Sequence, residues 1–412
     1  MVHIKHTISL WLILASSFGS DCLCRAFVPR RGDLVLKSYS VHSPQLNFQR
    51  SALSVLPVTE LEKIKRVYCI SDLHTDHIDN LKWLRNQVSG SSLKETDLVV
   101  VAGDISHEYN RLTETLQVLR QRCQVFFIAG NHEAWLTKED PRSSMKKLQL
   151  VEAVCEKIGV HTKPIYVNGN YPLWIAPTHS WYDGTLSFDE ILSKGFNEWP
   201  WVDFVRCEWS PDRFPAFPKS SGRGRIPQGL VEHFLELNEP FLQYLQEQIS
   251  AGEAVLTVSH FLPNKQCLPD WCDLKSSSFD VGGWLDHGAG GMSAKFAKVA
   301  GSKLIDNQLR SLKLPGVTKH LHLFGHSHHP KDFTFDGLRY IHNPLGKPRE
   351  RALHMISPNV DFQLLWNTKT GEVAGKPVIR YWEEEGGGVE KLRERLEKNR
   401  QKVSSRQYKD GI

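Results

Sequence analysis

No CxxC pair and no dense short-range framework occur among the eight cysteines, which fall at 22, 24, 69, 123, 155, 207, 267 and 272. This excludes the stapled layout of small secreted domains, and the cysteines after residue 60 read as reduced. Cys267 and Cys272 are the one pair close enough in sequence to bridge. Strong charge of one sign is missing too. The 51 basic and 46 acidic side chains leave +5, spread along the chain, so no stable nucleic-acid partner is indicated. There is no internal repeat, and the apolar run Ile8 to Leu14 is too short to span a bilayer as a helix. What is present is a globular composition, 40% hydrophobic and 24% charged, in 412 residues. That is room for one large α/β domain or two smaller ones. The 19 histidines hint at metal or acid/base work.

Residues 1–59 read as an address, removed or disordered in the mature chain. "MVHIKHTISLWLILASSFGS" has a weakly basic start, a short apolar core and small residues after it, the layout of a cleaved signal peptide. The next stretch is rich in Ser and Arg and has little acid before Glu60, which is transit-peptide composition. Joined at "AFVP", the two resemble the two-part plastid address of algae with secondary plastids. A plastid location is therefore expected, with the secretory pathway or the cytoplasm as alternatives.

From Arg66 onward, apolar runs alternate with amphipathic patterns. Strands are expected near Arg66 to Ser71, Asp97 to Ala102 and Gln124 to Ala129, with helices near Asp79 to Val88 and Tyr109 to Arg122. This is the βαβα rhythm of a sheet with parallel strands. A helix near Ser143 to Ile158 precedes short strands around Tyr166 and Trp174, and an aromatic, proline-rich insertion follows at about 180–227, either near a binding site or as a surface loop docked by its tryptophans. Further helices are expected at Leu230 to Ile249 and Ser302 to Leu312, and further strands at Ala254 to Ser259, Lys319 to Phe324, near Tyr340 and near Ile379. One domain over 60–383 and a charged, helical or frayed tail over 384–412 complete the division.

Five of these strands end on chemistry. "YCIS" runs into Asp72 and His74, "LVVVA" into Gly103 and Asp104, and "VFFIA" into Gly130, Asn131, His132 and Glu133. "VLTVS" runs into His260, and "LHLF" into Gly325, His326 and His328. In α/β sheets, side chains from several strands converge beyond the carboxyl ends, where ligands bind. The glycines let the chain turn sharply or approach closely. The donors are oxygen and nitrogen without thiolate, suited to Mn, Fe or Zn. Seven of them exceed one tetrahedral ion and suit two divalent or trivalent ions that share a bridging carboxylate.

The order DxH, GD, GNH plus an acid, a lone His after a strand, and GHxH resembles the calcineurin-like metallophosphoesterase family, from about Arg66 to Arg351. It is also similar to a plant and algal branch of that family with "SDLHTD" and "PRER" segments, whose substrate is unsettled. The resemblance implies an α/β sandwich of two mixed β-sheets flanked by helices. It implies that Asp72, His74 and His328 hold one metal, that Asn131, His260 and His326 hold the other, and that Asp104 bridges them. His132 would be the catalytic histidine, oriented by Asp104, with metal-activated water as the nucleophile on a phosphate ester. Glu133 stands where Asp is common in the family.

Other residues admit two readings. His179, Trp181 and Tyr182 in "THSWYD" either contact substrate or pack, and Lys347 and Arg349 either meet a phosphate or are surface charge. His107 faces substrate or starts a helix, Asp76 and His77 face solvent or support the ligands, and His329 is a bystander. Monoester, diester and nucleotide substrates stay open. The rival to a hydrolase is a protein-binding scaffold on the same fold with little catalysis. It would require a decayed ligand set, and this set is complete.

Overall fold

The computed structural model describes residues 58–90, 93–188, 201–218, 225–269 and 292–388, with scattered positions up to 401. The leader, Cys272 and part of the aromatic insertion lie outside the described residues.

The chain alternates strand and helix at first: β1 (Thr59–Leu61), β2 (Arg66–Ile70), α1 (Ile78–Gly90), β3 (Asp97–Ala102), α2 (Tyr109–Arg120), β4 (Gln124–Ile128), the short α3 (Asn131–Ala134) and α4 (Ser144–Lys157). Then come β5 (Ile165–Val167), β6 (Leu173–Pro177), α5 (Asp203–Arg206), α6 (Leu230–Gln248), β7 (Ala254–Val258), α7 (Met292–Ala300) and α8 (Lys303–Ser311). The last elements are β8 (Lys319–Leu323), β9 (Lys331–Phe335), β10 (Leu338–His342), α9 (Pro348–Ala352), β11 (Gln363–Asn367) and α10 (Tyr381–Glu384).

The strands form two mixed sheets, one of seven strands in the order β1-β5-β6-β7-β8-β10-β9 and one of four in the order β11-β2-β3-β4. β2, β3 and β4 run parallel, as do β6, β7, β8 and β10. All six residues of β3 are buried, because both faces of its sheet are covered. Leu98, Val100 and Ala102 face Leu256, Val258 and Leu323 of the larger sheet. Val99 and Val101 face Leu84 of α1, Leu112 and Leu116 of α2, and Val151 of α4. This two-sided burial is why the strand reads as a continuous apolar run rather than an alternating one. At about 25 cal/mol per Å² of apolar surface removed from water, the two layers of branched side chains dominate the stability of the fold.

Four details in the second half of the chain depart from expectation. No strand forms at Ile379; Val378 makes only an isolated bridge to Asp332. Strand β11 pairs antiparallel with β2 instead, and β9 pairs antiparallel with β10. Helix α7, which the pattern before Ser302 did not signal, lies next to the strand ends that carry the chemistry. No helix among the described residues is long and apolar enough to cross a membrane.

Candidate metal centre

The chain makes abrupt turns at the strand ends, and it makes them with side chains that other positions would not tolerate. Among non-glycine residues with positive φ are Asp72 (52°), His74 (40°), Asp104 (54°), His326 (73°) and His328 (53°). Left-handed backbone is rare outside glycine and costs about 1 kcal/mol or more at each position. Five such residues in one place mark strain held for function. Hydrogen bonds between neighbouring turns hold it: Asp72 N–H donates to Gly103 O, His74 N–H to Asp104 O, and Gly346 N–H to Asp72 O.

These turns bring seven donors together. Asp72, His74, Asp104 and His328 each place a donor atom within 4.8 Å of the others, and so do Asp104, His260 and His326. Asp104 is common to both groups. The Nε2 atoms of His74 and His328 face each other at 2.7 Å. Asn131 turns Oδ1 toward Nε2 of His260 (3.2 Å) and Nδ1 of His326 (3.0 Å).

The residues present fit a cation, and the observation that shows it is how the rings are anchored. His260 donates Nδ1–H to Ala102 O at 2.9 Å, His326 donates Nε2–H to Val299 O of α7 at 3.0 Å, and His328 donates Nδ1–H to the Glu350 carboxylate at 2.9 Å. In each ring the anchored nitrogen keeps its proton, so the nitrogen that faces the centre is the one a cation would engage, on release of any proton held there. Asp72 is fixed by Ser71 Oγ–H (2.5 Å), His342 Nε2–H (3.0 Å) and the His326 amide (2.9 Å).

Three glycines leave room for this packing. A Cβ on Gly103 or Gly130 would run into the His260 ring, and one on Gly325 would lie 2.6 Å from Ala102 O and 2.7 Å from His260 Nδ1. Glu133 ties two turns together by accepting from the amides of Gly130 (2.7 Å), Asp104 (3.0 Å), Ile105 (2.7 Å) and Ser106 (3.1 Å). The acid that departs from the family pattern is therefore a backbone clamp, and burial and the Asp104 charge push its carboxyl up to about 7.

The electrostatics are those of a cation site. Burial alone would raise the Asp72 carboxyl, but the His342 bond and the His328 charge hold it well below the usual carboxylate range. Burial opposes charge on His260, yet Asp104 pulls it up to about 9. Burial and positive neighbours push His74, His132 and His326 well below their ordinary value.

His132 stands apart from the seven. Its backbone N–H donates to Asp104 Oδ1 at 3.0 Å, and its Nε2 lies 3.7 Å from Asp104 Oδ2. The ring stacks on Trp135 (centroids 3.6 Å, 29°) and meets His74 edge-on at 4.6 Å.

The remaining sequence candidates spread out. Trp181 and Tyr182 are 2% and 1% exposed, packed with Phe261, Phe234 and Trp209, so the packing reading describes them. His179 meets Asn238 through its backbone. Lys347 is 7% exposed and follows Gly346, whose N–H donates to Asp72 O, which puts its backbone by the centre; its charge helps to lower His132 and His74. Arg349 is half-buried on α9. Asp76 accepts from Ser106 Oγ–H and lies 3.5 Å from His107 Nδ1, and His329 turns back on Ser327 O.

Sequence reasoning passed over Glu350, His342 and Asp203. His342 carried the usual signal, an apolar strand ending on His before a proline. Glu350 lay inside the quoted "PRER", just after Lys347 and Arg349, the basic residues that drew the notice. Asp203 carried no signal of its own: the insertion reads as lying near a binding site or as a docked loop, and nothing in "WPWVDFV" singles out its acid.

A family model described as calcineurin-like phosphoesterase matches residues 65–216. Among curated proteins, the [acyl-carrier-protein] phosphodiesterase PptH of Mycobacterium tuberculosis is 32% identical over 292 residues, spanning 69% of this chain and 78% of PptH. The chain belongs to the calcineurin-like phosphoesterase family. As a calcineurin-like phosphoesterase it is a metal-dependent phosphoric ester hydrolase, and the scaffold alternative falls away. The crystal structure of PptH, the phosphopantetheinyl hydrolase of M. tuberculosis, superposes with a TM-score of 0.51 at 20% identity, covering 76% of this chain and all of that one. That likeness supports the two-sheet fold.

Proposed function

We propose that this phosphoesterase hydrolyses a phosphodiester at a two-metal centre, and that its substrate is the phosphopantetheinyl arm of an acyl carrier protein. The observation that carries the centre is Asp104 shared between two donor groups in which His260, His326 and His328 are anchored to aim inward. Support for the diester and the carrier protein comes from the identity with PptH, whose name states that substrate.

Asp72, His74 and His328 would hold one ion, Asn131, His260 and His326 the other, and Asp104 both; Mn, Fe or Zn suits this donor set. When bound, such a pair activates water and neutralises phosphoryl charge for in-line displacement. The protein's own part is positioning. The left-handed turns fix the donors before substrate arrives. His132, buried beside Asp104 and stacked on Trp135, is placed to donate a hydrogen bond from its neutral ring to a phosphoryl or leaving oxygen, and to pass on that proton where the substrate's charge raises its pKa. Lys347, buried and next in the chain to Gly346 whose N–H holds Asp72 O, supplies a positive charge suited to a phosphoryl oxygen.

Turnover of bis(p-nitrophenyl) phosphate and p-nitrophenyl phosphate with added Mn²⁺ tests this reading. The diester is expected to be cleaved faster, with activity lost to chelator. Monoester cleavage alone would contradict it.

For the leader we propose the plastid address read from residues 1–59. A reporter fused to residues 1–60 is expected to collect in plastids of an algal cell, and a diffuse cytosolic signal would contradict this.

A further inference from the structure

We infer that Asp203, delivered by the aromatic insertion, is a positioning residue that sets the orientation of both Asn131 and His132. This rests on the reading of Asn131 as a metal donor given above.

The side chain is 2% exposed and receives three N–H groups. Its Oδ1 accepts from Asn131 Nδ2 at 2.9 Å and from Trp135 Nε1 at 2.6 Å, and its Oδ2 accepts from Trp201 Nε1 at 2.7 Å. A carboxylate has no proton to give, so Asn131 can present only its NH₂ to it. The amide oxygen must then point the other way, toward His260 and His326. Without that partner, the two flips of a primary amide differ little in shape, and a donor NH₂ would face the centre in half of them.

The second bond acts on the neighbouring ring. Trp135 is the indole stacked on His132, and the Arg206 guanidinium lies over its ring at 5.8 Å. Asp203 and Arg206 open and close the single turn of α5. One short helix therefore holds the Trp135 indole by its N–H and by its face, and the indole in turn supports His132. The insertion thus completes the centre from a part of the chain that carries none of the five strand-end motifs.

The isosteric variant Asp203→Asn separates this role from simple packing. With its oxygen at the Oδ1 position, an amide at 203 satisfies Asn131 and Trp135 but opposes the Trp201 N–H. With the oxygen at the Oδ2 position it satisfies Trp201, opposes Trp135 and donates to a flipped Asn131. Each arrangement leaves one indole opposed, so the preference for one Asn131 flip is lost.

The test is Mn²⁺ titration of the chelator-treated full chain by calorimetry, with electron paramagnetic resonance distinguishing a coupled ion pair from a single ion. Wild type is expected to bind two ions. In Asp203→Asn one step weakens by about 10–100-fold while the other keeps its affinity, and the coupled-pair signal falls accordingly. In Trp135→Phe, which keeps a ring on His132 but loses the tether, kcat falls by about tenfold with KM and both Mn²⁺ affinities unchanged. Two undiminished Mn²⁺ steps in Asp203→Asn would overturn the inference while leaving the two-metal reading intact. Equal loss of both steps together with helical circular dichroism would also overturn it, since Asp203 would then be a general fold-keeper. A wild-type chain that binds fewer than two ions would remove the metal reading itself, and this inference with it.

Discussion

Glu350→Gln is the substitution whose consequence can be worked furthest. Glu350 Oε2 accepts from His328 Nδ1 at 2.9 Å and from the Lys347 amide at 2.7 Å, and the carboxylate is mostly buried. Burial works against its charge, but His328 and Lys347 outweigh burial and bring the carboxyl down to about 2 from 4.5. At about 1.4 kcal/mol per unit, that is about 3 kcal/mol, assigned once to the pair rather than once to each partner. The sign fixes the pH window. The carboxylate's contribution is full above pH 4.5 and lost as pH falls toward 2, because the folded acid is the stronger one. For His328, burial lowers the pKa and Glu350 more than restores it, so its share is full below 6.5 and lost as pH rises through the raised value. Both partners are charged between these limits. Urea denaturation of chelator-treated protein at about pH 5.5 should therefore show Glu350→Gln less stable by about 3 kcal/mol, with the difference shrinking toward pH 2–3. A Gln oxygen can still accept both N–H groups, so what is removed is charge and not shape. The same variant should bind the ion at Asp72, His74 and His328 about 10–100-fold more weakly, because the anchor of His328 is loosened. Equal stability at pH 5.5 together with unchanged Mn²⁺ affinity would refute the reasoning.

Three further outcomes follow from the geometry. His132→Ala should lower kcat by about 10²–10⁴-fold while metal analysis shows wild-type content, whereas Asp104→Ala should lose metal and activity together; equal metal loss in both would merge their roles. Gly130→Ala should destabilise by about 1–3 kcal/mol in thermal melts and weaken metal binding, because a methyl there meets the Asp104 carboxylate and the His260 ring. Gly90→Ala, where nothing lies within 4 Å, should change stability by less than about 1 kcal/mol in the same melts. Chelator treatment should lower the melting temperature of wild type in a way that added Mn²⁺ reverses, and about 4 kcal/mol is expected at a thousandfold excess over Kd.

How much of this was legible beforehand depends on where the information sits. Strand β3 was readable because six buried residues in a row leave a continuous apolar run, and β2, β4, β7 and β8 were readable for similar reasons. The seven donors followed, since each comes directly after such a run. Strand β9 and the Ile379 region were misjudged because a short, partly exposed edge strand such as Lys331–Phe335 has little apolar pattern, while "KPVIR" has apolar residues but no partner strand. Glu133, Glu350 and His342 act on neighbours distant in sequence or through the backbone, and spacing does not record such bonds. Asp203 reaches Asn131 across 72 positions of chain, so only the folded arrangement reveals it. The packing of Trp181 and Tyr182 was a matter of burial, which composition alone leaves open.

The central claim is metal-dependent cleavage of a phosphodiester on a carrier protein, and intact-protein mass spectrometry tests it directly. Phosphopantetheinyl acyl carrier protein is incubated with the Mn²⁺-loaded chain, with and without chelator. The account predicts a carrier protein lighter by the whole phosphopantetheinyl group, only when metal is present. An unchanged carrier mass alongside turnover of small phosphate esters would contradict the assigned substrate, and no turnover of any phosphate ester by the metal-loaded chain would contradict the account as a whole.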